Sequence, residues 1–197
     1  MTDNLIDLSH WQAPVDFARV AGSGIVAAIG KATQGAMGVD PMYAQYRSDA
    51  LRAGLRWGSY HFGTADAPAL QVAHYLQVAS PADVEVMCLD FESGAGMSLA
   101  QARAFIQGIE SATGRLPMLY GGAYLKSCLA GKADPVLQRC ALWLAQYSES
   151  AIVPPGWDRW TLWQFTDDAR DIPGVARCDR NRYAGSDADL RERWPAL

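Results

Sequence analysis

The chain has 197 residues, half of them hydrophobic, and a formal net charge of −4. That is enough apolar material for one domain with a substantial core, residues 1–197, and the acidic balance without a Lys/Arg cluster argues against a nucleic-acid surface. No apolar run reaches the length of a membrane span, so membrane insertion is not expected.

In chain order, Leu5 to Ser9 reads as a short strand ending in His10-Trp11-Gln12, and Asp16 to Val20 as a short helix. A second strand, Ile25 to Ile29, leads into Lys31-Ala32-Thr33-Gln34-Gly35. Met42 to Ala53 is helical, with Tyr43, Tyr46, Ala50 and Leu51 on one face and Gly54 as its stop. Leu55 to Tyr60 is the third strand and Ala67 to Val78 the third helix. Val84 to Glu92 is a buried strand that empties into Ser93-Gly94-Ala95-Gly96. Leu99 to Thr113 is a helix capped by Ser98 and stopped by Gly114. Leu116 to Tyr120 is the fifth strand, and Tyr124 to Leu129 a short helix. After that the rhythm changes: Ala141 to Tyr147, Trp160 to Phe165 and Val175 to Asn181 read as strands without helices between them, and Arg191 to Trp194 as a last turn.

Five β-α units followed by three bare strands predict an α/β fold, an irregular flattened (β/α)5(β)3 TIM-like barrel with parallel strands in its first part. Such a barrel carries its active site at the C-terminal strand ends. Those ends hold Asp7, Lys31, Tyr60, His61, Asp90, Glu92, Tyr120, Tyr147, Trp163, Gln164, Asp179 and Asn181. Asp90 and Glu92 are two apart on one strand and so share a face, roughly 6.6–7 Å apart at Cα. Mutual repulsion and partial burial favour a proton on one of them near neutral pH, which is what acid-catalysed glycoside cleavage requires. Flat sugar rings fit a cleft of aromatic platforms and acid or amide groups. Bland readings stand beside these: Asp7 capping a turn, Lys31 a solvated rim charge, His61 a core imidazole.

Other chemistries lack their motifs. His10, His61 and His74 have no metal-ligand spacing, and Cys88, Cys128, Cys140 and Cys178 contain no C-x-x-C. No G-x-S-x-G, G-x-G-x-x-G or P-loop occurs, so no cofactor is expected. Reduced, buried thiols and an N-terminus without a signal-peptide pattern fit synthesis in a cytoplasm.

The ordered set Ile6-Asp7-Leu8-Ser9-His10-Trp11-Gln12, Lys31-Ala32-Thr33-Gln34-Gly35, Gly58-Ser59-Tyr60-His61-Phe62, Leu89-Asp90-Phe91-Glu92, Leu142 to Tyr147, Trp160 to Phe165 and Cys178-Asp179-Arg180-Asn181 resembles the Chalaropsis-type lysozymes, family 25 of the glycoside hydrolases. The resemblance runs from about Leu5 to Leu190. It implies the same flattened barrel and hydrolysis of the β-1,4 bond between N-acetylmuramic acid and N-acetylglucosamine in peptidoglycan. It implies Glu92 as general acid/base and Asp90 as its partner, with Asp7 and Asp179 completing an acidic floor. Lys31, Tyr60, His61, Tyr120, Tyr147, Trp163, Gln164 and Asn181 are then the expected substrate contacts. A monomer acting on the cell wall after release, from a phage or by non-classical export, is expected. Two carboxylates on one side of the sugar suggest assistance by the substrate's own acetamido group with retention of configuration; Asp7 or Asp179 as base or nucleophile is the rival. A chitinase-like enzyme would need Asp where Cys88 stands in its D-x-D-x-E pattern. A binding-only barrel would be expected to lack one of the acids.

Overall fold

The computed structural model describes residues 1–197 apart from the side chain of Pro195. Nine strands form one sheet: β1 (Thr2–Leu8), β2 (Ala27–Gln34), β3 (Gly38–Val39), β4 (Arg56–Phe62), β5 (Val86–Asp90), β6 (Met118–Gly121), β7 (Leu142–Ala145), β8 (Leu162–Ala169) and β9 (Cys178–Tyr183). The order is β1-β9-β8-β7-β6-β5-β4-β2-β3, and a β1–β2 pairing closes eight of the strands into a barrel. All neighbours from β1 through β2, β4, β5, β6 and β7 to β8 are parallel. β9 runs antiparallel to both β8 and β1. The eight-stranded α/β barrel expected from the sequence is the one observed. The strand outside the barrel, β3, is a two-residue hairpin partner of β2, too short to show a pattern.

Helices α1 (Phe17–Gly22), α2 (Tyr43–Arg52), α3 (Pro68–Ala79), α4 (Leu99–Thr113) and α5 (Ala123–Leu129) follow the first five barrel strands, and α6 (Asp187–Arg193) closes the chain. α4 begins at a reciprocal capping box between Ser98 and Gln101 and ends at Gly114 in the left-handed conformation, φ 70°. Among the described residues, no helix is long and apolar enough to cross a membrane.

Alternation along the strands splits the apolar residues into two clusters. Ile6, Leu8, Met87, Leu89 and Phe91 face the helices, while Leu5, Ile29, Val86, Cys88, Met118 and Leu162 fill the barrel. Trp194 seals the bottom of that interior, with its indole N–H donating to the Trp57 carbonyl at 2.7 Å. Trp57 lies outside the barrel against Gly30, where a Cβ would come within 2.5 Å of its ring. Both tryptophans are therefore core, and the segment expected as a last turn is a plug made of α6 and a 3-10 turn over Trp194–Ala196. With the bottom sealed, the open end of the barrel is the one at which β1, β2, β4, β5, β6, β7 and β8 end.

The observed strands depart from the sequence-based ranges at their ends. β5 stops at Asp90, two residues short of Glu92, and its expected start at Val84 is exposed. Glu85 just before it is buried and paired with Arg47 at 2.8 Å. β8 continues four residues past Phe165, to Ala169, because β9 pairs with it as a hairpin out to Cys178.

Candidate active site

Asp7, at the end of β1, is 4 % exposed. Its Oδ2 accepts from Gln164 Nε2 at 2.9 Å and Asn181 Nδ2 at 2.8 Å. Each amide is oriented from behind. Tyr120 and Tyr147 hydroxyls donate to Gln164 Oε1 at 2.8 and 2.7 Å, and the Trp143 indole donates to Asn181 Oδ1 at 2.6 Å. Two chains of donors thus converge on one carboxylate, which favours its ionised form. Asp179 is the cross-strand partner of Asp7. Burial and the charge of Asp7 push its carboxyl up to about 9, so at neutral pH it holds a proton that it donates to Asp7. Burial raises Asp7 too, against the hydrogen bonds that lower it.

Asp90 and Glu92 stand on β5 and just beyond it, three strands round the barrel from β1. Asp90 is 6 % exposed, and its Oδ1 has no hydrogen-bond partner among the described residues. Burial, then the charges of Glu92 and Asp7, raise its carboxyl well above the usual range, with Lys31 opposing. Glu92 is half-buried; burial and Asp7 raise it, and Lys31 again opposes. The two acids with Asp7, Asp179, Tyr60 and Tyr120 border a cleft of about 280 Å³. Burial and the surrounding carboxylates hold the Tyr60 phenol well above its ordinary value, so it stays a neutral donor. A second groove of about 570 Å³ shares Glu92, Tyr120 and Tyr147 with the cleft and runs along the start of α5.

Tyr147 and Gln164 also line the cleft, so the structure gathers eight of the twelve sequence-predicted residues there. The other four fall elsewhere. Lys31 lines a neighbouring groove, donating to Gln34 Oε1 at 2.8 Å and lying 4.8 Å from the Phe62 ring centre. His61 is a correction: it is fully buried on the helix side of β4, bonded to Thr33 Oγ1 at 2.7 Å and Gln71 Oε1 at 3.0 Å and stacked on Phe105. The period-two pleat that turns Tyr60 into the cleft turns its neighbour out. Trp163 is displaced from the cleft for the same reason, its neighbour Gln164 pointing inward; its indole donates to the Gln146 carbonyl at 2.7 Å. Asn181 is fully buried behind Asp7 and holds that residue in place, leaving no surface for a substrate. Asp167 and Arg177 line the cleft and were not singled out by the sequence. Asp167 lies beyond the expected strand end at Phe165 and Arg177 near the start of the strand expected from Val175 to Asn181, and the β8–β9 hairpin brings them to the cleft.

No group of three or more His, Cys, Asp or Glu residues among those described is arranged to hold a metal ion. The arrangement offers a half-buried acid that can give up a proton, a buried carboxyl group with a free oxygen, and a rigid acidic floor held by two amide donors. That is the equipment of acid-catalysed glycoside cleavage.

Comparisons with known proteins agree. Residues 6–175 match the family described as Glycosyl hydrolases family 25. Lysozyme M1 of Streptomyces globisporus is 30 % identical over 203 residues, covering 94 % of this chain and 69 % of that protein. The N,O-diacetylmuramidase of Chalaropsis sp. is 30 % identical over 183 residues, covering 82 % of this chain and 86 % of its own length. Among solved structures, the bacterial lysozyme from Streptomyces coelicolor superposes with a TM-score of 0.86 at 28 % identity, covering 96 % of this chain and 95 % of that one. Sequence match, barrel topology and the acids at its open end lead to one assignment: the chain belongs to family 25 of the glycosyl hydrolases.

Proposed function

We propose that the protein is a lysozyme that hydrolyses the β-1,4 bond between N-acetylmuramic acid and N-acetylglucosamine in bacterial peptidoglycan, with Glu92 as general acid/base. The observation that carries this is the shared cleft face of Asp90 and Glu92, both with raised proton affinity, in a barrel of this family. The names of the relatives, a lysozyme and an N,O-diacetylmuramidase, support the same bond. The chain acts as a single catalytic domain and as a monomer, and its place of action is the bacterial wall.

The muramic acid ring sits over Asp90 with its acetamido group turned toward the free Oδ1. The Asp90 carboxylate accepts the acetamido N–H and offsets the positive charge that develops on the ring. The acetamido carbonyl oxygen attacks the anomeric carbon as the glycosidic bond breaks, and Glu92 gives its proton to the departing oxygen. A bicyclic oxazolinium ion results, with no bond to the protein. Glu92, now a carboxylate, takes a proton from water, which attacks the same face that the leaving group vacated. The configuration is retained. Asp7 supports this division of labour: two amide donors and the Asp179 proton all bind it, so it serves as a fixed negative floor and is a weak nucleophile.

The test is NMR observation of the first-formed product. The β-anomer of the new reducing end is expected. An α-anomer first, or a trapped glycosyl ester on Asp7 or Asp179, would contradict the scheme.

A further inference from the structure

The groove beyond Glu92 contains a cation for which the reaction has no use. Lys126, on α5, lines it and is partly buried. Its ammonium donates to one neutral acceptor, Gln146 Oε1 at 2.6 Å, and forms no ion pair with any described carboxylate. Burial lowers its proton affinity. The charges that act on Glu92 are those of Lys31 and Asp7, so Lys126 does not serve as the acid's counter-ion.

The position is built. The Gln146 amide is locked by bonds from its Nε2 to Ser148 Oγ (2.8 Å) and to the Ser150 carbonyl (2.7 Å), which leaves Oε1 turned to the lysine. The Gln146 backbone is tied to the barrel, its N–H to the Gln164 carbonyl and its carbonyl to the Trp163 indole. A held ammonium with two unused N–H groups, lining a groove, is a receptor for an anion.

The function proposed above identifies that anion, and this inference rests on it. A general acid stands at the bond being cut, and Glu92 borders both the cleft and the groove. With the muramic ring in the cleft over Asp90, the leaving N-acetylglucosamine extends past Glu92 along the groove. The next sugar is again a muramic acid, whose 3-O-lactyl arm ends in a carboxyl group, either free or amide-linked to a peptide that carries carboxylates of its own. We propose that Lys126 is a specificity residue, binding a carboxylate borne by the lactyl arm of the muramic acid on the leaving-group side of the cut.

The experiment compares wild type, Lys126→Met and Lys126→Arg by steady-state muramitol release on three substrates: purified peptidoglycan, the same glycan stripped of peptides by an amidase, and peptidoglycan with its carboxyls blocked as neutral amides. Lys126→Met is expected to raise KM about 3- to 10-fold on the substrate that carries the recognised carboxylate, with a smaller change in kcat. Lys126→Arg should restore most of it, and the blocked substrate should show no difference between the three proteins. An effect confined to intact peptidoglycan assigns a peptide carboxylate; one that appears on the stripped glycan, where the amidase has freed the lactyl group, assigns the lactyl carboxylate. Equal KM for wild type and Lys126→Met on both charged substrates would overturn the proposal. So would an equal loss on all three, which marks a structural role. Wild type that releases no muramitol from any of them would instead refute the lysozyme reading, and the role of Lys126 with it.

Discussion

Asp7 and Asp179 occupy one register position of the antiparallel β1–β9 pair, two carboxyl groups side by side at the barrel mouth. Like charges directly opposite each other in a sheet are destabilising, and the pair avoids this by sharing a proton. The proton rests on Asp179 because Asp7 already receives two amide donors.

Asp179→Asn tests that distribution. In the fold Asp179 keeps its proton up to about 9, whereas in an unfolded chain it loses it near 4. The folded protein therefore binds the extra proton between those values, and wild-type stability falls as pH rises through that window. Asparagine still offers an N–H to Asp7 but does not titrate. Thermal melts should show variant and wild type alike near pH 4, and the variant more stable at pH 8. Each kcal/mol gained corresponds to about 2–4 °C at this chain length. A variant destabilised equally at both pH values would contradict the shared proton.

Lys31 lies outside the cleft lining, yet its charge opposes the rise of both Asp90 and Glu92. Replacing it with methionine removes that opposition, so both acids should hold their protons to higher pH. Both limbs of kcat/KM, which report the coupled Asp90–Glu92 pair and not either acid alone, should move upward. A pH–rate profile shifted downward, or unshifted, would remove Lys31 from the electrostatics of the site.

Asp90 combines deep burial with an oxygen that no described residue satisfies. Asp90→Asn should lower kcat by at least about 10²-fold, since its charge is needed as the ring becomes positive. The same change relieves repulsion with Glu92 and should leave the melting temperature equal or higher. Loss of activity together with loss of fold would show that Asp90 acts in stability instead.

Much of this was legible in the sequence because period-two alternation and element order fix a barrel and its open end. Leu89-Asp90-Phe91-Glu92 could be divided correctly into a helix-facing pair and a cleft-facing pair from spacing alone. The same rule, applied residue by residue, excludes His61 beside Tyr60 and Trp163 beside Gln164, because neighbours on a strand face opposite sides. Asp167 and Arg177 were out of reach. Their place depends on β9 turning back along β8, a long-range pairing that no local pattern announces.

His61 offers a clean check of that correction. Burial holds its imidazole neutral down to about 4, below its ordinary value. The unfolded chain binds the proton first as pH falls, so stability from this group is present above about 6.5 and is lost toward 4. His61→Ala should cost about 2–4 kcal/mol at neutral pH, leaving Thr33 and Gln71 without their partner, and should flatten that acid-side slope. KM for peptidoglycan should change little. A large KM change with normal stability would return His61 to the substrate.

The most direct test of the central claim is digestion of purified peptidoglycan by wild type and by Glu92→Gln, with borohydride reduction and identification of the reduced sugar. Muramitol from wild type, with at least about 10²–10⁴-fold less from a folded Glu92→Gln protein, is the expected result. Glucosaminitol from wild type would assign the wrong bond, and near-normal muramitol release by Glu92→Gln would remove Glu92 from the centre of the mechanism.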